Sequence, residues 1–200
     1  MYGEEVDAVS TVALLIDDLS SEDPNAKLHS IQRLGQIAAL LGPERTVDEL
    51  VPMLSELIDK IDSNPELMLN MAEQLGNLTA LIGSSGSNSV GHAVSLLTPL
   101  ETIVGSDDAM VREKAIEALR KVSAVLSSTA IKLSYLPLVK RLKKGDMFSM
   151  RIAASQLYAD IYPRLDTEEQ VKVHKKFRKL CSDDTPMVRW GAAQAVSSLC

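Results

Sequence analysis

The sequence predicts an all-α chain, an α-α superhelix of about five stacked helical hairpins. Composition is the first reason: apolar residues make up 46% and charged residues 24%, but aromatics only 4%. That palette folds, and it is short of the Tyr, Phe and Trp that favour strands. The second reason is an internal period. An acid or amide is followed five residues later by a basic or apolar residue at Glu22…Lys27, Asn64…Leu69, Asp107…Arg112, Asp146…Arg151 and Asp184…Arg189. The second positions are separated by 42, 43, 39 and 38 residues, the drifting period near forty of paired-helix solenoids. The third reason is apolar spacing of i, i+3, i+4 on both sides of each turn.

The repeats are expected near residues 6–41, 43–83, 88–127, 129–163 and 167–200, forming one solenoid domain over 1–200. In the third, Val94, Leu97, Leu100 and Val104 give one apolar stripe, and Val111, Ala115, Ala118, Leu119 and Val122 give the next across a turn at Gly105-Ser106-Asp107. The fifth repeats the pattern with Val173, Phe177 and Leu180, then Val188, Ala192, Ala195 and Val196. Asp23-Pro24, Asn64-Pro65 and Thr185-Pro186 each set a capping side chain before a proline at the first helical position, where its missing N–H costs nothing. Pro52, Pro99 and Pro137 fall inside first helices, where each removes one i→i−4 bond and should bend the helix. The polar stretch Gly83–Ser89 lacks the Lys-[Ser/Thr] of a phosphate-binding loop and is expected to be an elongated connection. A hairpin buries its apolar face only by stacking, so the apolar last helix predicts that the chain is a piece of a longer solenoid.

Charge is distributed unevenly. Residues 1–60 carry 4 basic and 12 acidic groups, and residues 131–180 carry 12 basic and 5 acidic, within an overall −6. The overall sign argues against nucleic acid binding along the whole length. Lys140–Lys144 and Lys172–Lys179 interleave with Val139, Leu142, Val173 and Phe177 at core spacing, so their cations form either a solvated face or a local contact for nucleic acid or an acidic partner. The Asp/Arg pairs of the turns admit two readings as well: bonds between stacked layers, or charges offered to a partner. Met147-Phe148 and Pro186-Met187 put apolar side chains at turns, where they either fold back as staples or anchor a protein partner.

His29, His92 and His174 lie far apart without ligand partners, and no nucleophile–base or paired-carboxylate spacing is visible. No catalytic residue, metal or cofactor is therefore expected. No apolar run reaches the roughly 18 residues of a membrane span. The first residues, Met1-Tyr2-Gly3-Glu4-Glu5, are acidic where a signal peptide is basic, and Cys181 and Cys200 make no disulfide framework. A protein of the cytoplasm, or of cytoplasm and nucleus, without membrane contact is expected.

The pattern Asp-x4-Arg-x2-Ala-x2-Ala-Leu, with proline in the first helix, resembles a HEAT repeat. Several stretches are closer to one HEAT family: Glu44-Arg45-Thr46…Glu49-Leu50-Val51-Pro52, Ala72-Glu73-Gln74-Leu75-Gly76, Pro137-Leu138-Val139-Lys140-Arg141-Leu142, Tyr162-Pro163-Arg164 and Leu180-Cys181-Ser182-Asp183-Asp184-Thr185-Pro186-Met187-Val188-Arg189. Together they resemble the scaffold (A) subunits of protein phosphatase 2A across essentially the whole chain. The resemblance implies N-terminal repeats of a longer, non-catalytic scaffold. Regulatory B subunits of the phosphatase would dock on the ridge of intra-repeat turns, and the catalytic subunit would dock on further repeats that this chain lacks. Carried onto this sequence, the ridge comprises Glu66, Asp107, Asp108, Met147, Phe148, Asp183, Asp184, Pro186 and Arg189. The chain departs from the family pattern at Met147, where tryptophan is usual, at Trp190, where a second arginine is usual, and in the insertion around Gly83–Gly91. Two rival readings remain: another interaction solenoid serving transport or chromatin, and a helical-repeat enzyme acting on DNA through the basic face.

Overall fold

The first two turns between paired helices are capped by their own side chains. In the computed structural model, which describes residues 13–61, 63–83 and 89–198, Asp23 accepts a hydrogen bond from the Asn25 amide at 3.0 Å. Asn64 accepts from the amides of Glu66 and Leu67 at 3.1 and 3.2 Å. Both caps precede a proline at the helix start, as their sequence predicts. Thr185 departs from that expectation. It occupies the cap position of the last helix without a capping bond, and its hydroxyl accepts from the Arg151 guanidinium at 3.2 Å instead.

The elements run α1 (13–20), α2 (Pro24–Gln32), α3 (Leu34–Leu41), α4 (Val51–Ile61), α5 (Pro65–Ile82), α6 (Ser89–Ser95), α7 (Leu97–Val104), α8 (Ala109–Val125), α9 (Leu136–Lys144), α10 (Phe148–Ile161), α11 (Thr167–Cys181) and α12 (Pro186–Ala195). No strand occurs among the described residues. Second helices stack on one another, α2 and α3 on α5, α5 on α8, α8 on α10 and α10 on α12, while first helices pack α4 on α7 and α7 on α9. The chain is thus an all-α solenoid of stacked hairpins. Of the expected connection Gly83–Ser89, residues 84–88 lie outside the described residues and Ser89 opens α6; the start of the first repeat at residue 6, and Leu199 and Cys200, lie outside them as well.

The helix prolines act differently from a simple bend. Pro52 and Pro137 have no N–H to offer the preceding turn, and that turn widens: the Val51 amide bonds the Thr46 carbonyl and the Leu136 amide bonds that of Ile131, both i→i−5. Short π-helical stretches, Thr46–Leu50 and Ile131–Tyr135, therefore precede them. At Pro99 the helix breaks instead, α6 ending at Ser95 before α7 starts at Leu97.

The predicted stripes form the core. Leu97, Leu100, Val104, Val111, Ala115, Ala118, Leu119 and Val122 are buried in the third hairpin, and Val173, Phe177, Leu180, Val188, Ala192 and Ala195 in the fifth. Val196 is a correction: α12 ends at Ala195, and Val196 is exposed at the start of a 3-10 turn. Between layers, close helix contact depends on small residues. A Cβ on Gly76 of α5 would sit 3.0 Å from the Ala118 Cβ and 3.1 Å from its Cα on α8. Gly76→Val is expected to wedge the two layers apart and cost about 2 kcal/mol, read as a lower urea midpoint. Gly35→Ala, with nothing within 4 Å, should instead gain about 0.5–1 kcal/mol from helix propensity.

Candidate partner-binding ridge

The last three turns between paired helices share one construction. Arg112 Nη1 donates to the carbonyls of Ser106 and Asp107 at 3.1 and 3.5 Å. Arg151 Nη1 donates to those of Gly145 and Asp146 at 3.1 and 2.9 Å, and Arg189 Nη1 to those of Asp183 and Asp184 at 2.7 and 3.0 Å. In each case the guanidinium closes the turn six and five residues before it, satisfying carbonyls that the preceding helix leaves free. The recurring acid-to-arginine spacing is thus, first, a turn-closing device.

Arg151 does more. Its Nε and Nη2 form a bidentate pair with Asp183 of the next layer at 2.9 and 3.1 Å, with side chains only 20% and 14% exposed. The Arg151 guanidinium, helped by the Thr185 amide, holds the Asp183 carboxyl below its ordinary range against the opposing effect of burial. The equivalent acceptor for Arg112 is missing, because Gly145 stands where the next turn has Asp183. Arg112 Nε is accordingly buried without a hydrogen-bond partner.

The sequence-predicted ridge residues separate into two groups. Glu66, Asp107, Met147, Phe148, Asp184, Pro186 and Arg189 lie exposed at the turns. Asp108 is half-buried, its carboxylate accepting from the amides of Met110 and Val111 at 2.8 and 3.0 Å. Asp183 is turned inward to Arg151. Met147 and Phe148 are 40% and 46% exposed. Met110 and Met187 join them at the surface. Sequence reasoning left Met110 out of the ridge, although it stands two residues before Arg112 as Met187 stands two before Arg189. The result is a row of apolar side chains rimmed by carboxylates, the composition of an anchor patch in a protein interface.

The basic stretch of α9 is tied to neighbouring layers, whereas Lys172 of α11 pairs within its own helix. Arg141 makes a bidentate pair with Glu101 at 2.7 and 2.6 Å. Lys140 lies 3.6 Å from the buried Glu169, which also accepts from Lys172 at 3.0 Å. Lys172 above all keeps the Glu169 carboxyl below its ordinary range. Burial, then the neighbouring Lys140, lowers the Lys176 ammonium. Lys132 pairs with Asp166 at 2.8 Å, Arg120 with Asp160 at 2.7 Å, and the Arg164 guanidinium with the carbonyls of Ser123 and Leu126. Apart from Lys172 with Glu169, which lies within α11, these contacts join one repeat to the next. Of the histidines, His174 stacks its ring on Tyr162 at 5.0 Å. Among the described residues, no group of three or more His, Cys, Asp or Glu is arranged to hold a metal ion, and no helix is long and apolar enough to cross a membrane.

No family profile matches the chain. Among characterised proteins it is 42% identical over 191 residues to the beta isoform of the human 65 kDa regulatory (A) subunit of serine/threonine-protein phosphatase 2A, covering 96% of this chain and 30% of that protein. It is 39% identical over 194 residues to the protein phosphatase 2A scaffold subunit of Dictyostelium discoideum, covering 97% and 32%. Identity to the regulatory (A) subunit of protein phosphatase PP2A from Schizosaccharomyces pombe is 36% over 190 residues, covering 94% and 31%. A designed armadillo repeat protein aligns with 93% of this chain and 98% of its own at a TM-score of 0.35 and 19% identity. The chain spans about 30% of the length of the characterised relatives it matches. Over nearly its whole length the chain is similar to the scaffold (A) subunits of protein phosphatase 2A.

Proposed function

We propose that this chain is a non-catalytic scaffold segment of a protein serine/threonine phosphatase 2A complex, and that its turn ridge captures a regulatory B subunit. The observation that carries the reading is the coincidence of two facts. Relatives named as scaffold or regulatory (A) subunits match nearly the whole chain, and Met147, Phe148, Met187 and their carboxylate neighbours stand exposed along one row of turns. The mechanism is geometric. Rigid layers hold the turns at fixed spacing, so a partner meets several anchors at once, and a catalytic subunit held by further repeats gains effective concentration near it. Such a complex would work in the cytoplasm, and in the nucleus as well.

The test is co-elution of the chain with purified regulatory B subunits by size exclusion. A stable complex is expected, weakened several-fold when Asp107 and Asp184 are both replaced by Lys, since like charge opposes a surface that fits carboxylates. Failure of every B subunit to co-elute would overturn the reading. Salt-sensitive retention of duplex DNA in place of a B subunit would favour the basic face instead.

A further inference from the structure

The chain's eight methionines divide by position. Met68 and Met71 of α5 are buried, and Met53 of α4 is half-buried. Met150 of α10 is half-buried too, its sulfur so close over Gly145 that a Cβ there would lie 2.6 Å from it. Met1 lies outside the described residues. Met110, Met147 and Met187 are 70%, 40% and 52% exposed. Among the described residues these three are the exposed methionines, and they stand one at each of the last three turns between paired helices. Each follows an exposed acid within three positions: Asp107 before Met110, Asp146 before Met147 and Asp184 before Met187.

A thioether is an adaptable apolar anchor, and it is also open to two-electron oxidation. Hydrogen peroxide transfers one oxygen to it. The sulfur lone pair forms the S–O bond, the O–O bond breaks, and the departing hydroxide takes the proton of the transferred oxygen and leaves as water. The sulfur is oxidised to the sulfoxide and the peroxide is reduced. The product carries a polar oxygen that accepts hydrogen bonds and donates none. Enclosed in the apolar pocket of a partner, that oxygen loses its water without gaining a donor, which opposes binding. The neighbouring acids give no relief, because an ionised carboxylate also only accepts. Three such changes on one row compound, since the partner meets several anchors at once.

Burial separates two outcomes of oxidation. A sulfoxide at Met68 or Met71 would disrupt the core and unfold the chain. Sulfoxides at the three turns leave the stacked layers intact and alter only what the ridge offers. Reductases specific for each sulfoxide epimer reverse the change.

We propose that Met110, Met147 and Met187 form a reversible redox-sensitive modification site: peroxide converts their thioethers to sulfoxides and blocks capture of a partner on the turn ridge, and reduction of the sulfoxides restores it. This role rests on the ridge capturing a regulatory B subunit, as proposed above.

In the test, the thiols of the full chain are first blocked with iodoacetamide, because Cys181 is exposed. The chain then receives a limited dose of hydrogen peroxide, which is removed before purified B subunit is added. Peptide mapping by mass spectrometry should find one added oxygen at Met110, Met147 and Met187 before Met68 or Met71, with an unchanged urea midpoint. Capture of the B subunit should fall at least about tenfold, and recover after treatment with methionine sulfoxide reductases of both epimer specificities. The triple variant Met110→Leu/Met147→Leu/Met187→Leu keeps apolar anchors of similar volume. It should capture the B subunit before and after peroxide alike. Undiminished capture by the oxidised chain, no recovery on reduction, equal peroxide sensitivity in the triple variant, or oxidation of the core sulfurs first would each overturn the proposal and leave the ridge reading standing. Failure of the untreated chain to capture any B subunit would overturn both.

Discussion

Arg151→Leu is expected to lower the stability of the chain by about 3–5 kcal/mol, the typical cost of removing one partner from a partly buried ion pair. The guanidinium makes five hydrogen bonds, to two turn carbonyls of its own repeat and to Asp183 and Thr185 of the next. Its loss opens one turn and leaves the Asp183 carboxylate enclosed without a counter-charge. Arg112→Leu provides the comparison. That residue closes its own turn but has no carboxylate in the following layer, so about 1–2 kcal/mol is expected. Urea denaturation of the two variants measures the difference, and equal losses would show that the interlayer pair adds nothing. The pH dependence has a definite sign. Asp183 has a depressed carboxyl in the folded chain, so its contribution is complete above the ordinary aspartate value near about 4, and disappears as pH falls through its lower folded value. The Arg151→Leu deficit should therefore persist at neutral pH and shrink only in acid.

Capture of a regulatory B subunit is expected to fall about thirtyfold or more when Met147 and Phe148 are both replaced by Ala, since interface anchors of this kind carry roughly 2 kcal/mol or more. Stability should move by only about 0.5 kcal/mol, because both side chains are exposed. Calorimetric titration beside a urea curve separates the effects. If Met147 and Phe148 act merely as staples on α10, stability falls and affinity does not. Asp183 makes the opposite case: its carboxylate faces Arg151, so a lost partner interaction after Asp183→Ala would reflect a displaced turn before any lost contact. Asp184, exposed beside it, is the cleaner probe of the ridge.

Periodicity made the stacked architecture legible, because each hairpin repeats the same apolar positions and caps. Asp23 and Asn64 were readable as caps from local chemistry alone. Thr185 was not, since the residue that recruits its hydroxyl, Arg151, belongs to the preceding layer and sits 34 positions away. The division of the ridge acids had the same cause: Asp183 and Asp184 are adjacent and chemically identical, and only the stacking of α10 on α12 decides which is enclosed. The π-helical turns before Pro52 and Pro137 were hidden for a different reason. Proline signals a broken bond, but whether the backbone kinks, widens or interrupts depends on the packing around it, as Pro99 illustrates.

The missing carboxylate at Gly145 has a mechanical consequence. Any side chain there would run into Met150, whose thioether packs over Gly145 and reaches Gly105 of the preceding turn. At the turn edge, the third and fourth repeats are therefore joined by a soft, directionless sulfur contact, whereas the fourth and fifth are pinned by a planar two-point clamp. Farther from that edge, Arg141 with Glu101 and Arg120 with Asp160 still hold the third and fourth together. A load applied along the solenoid would make these two repeats swing about those distant ties, fanning their bends apart like pages, while the last two travel as one block.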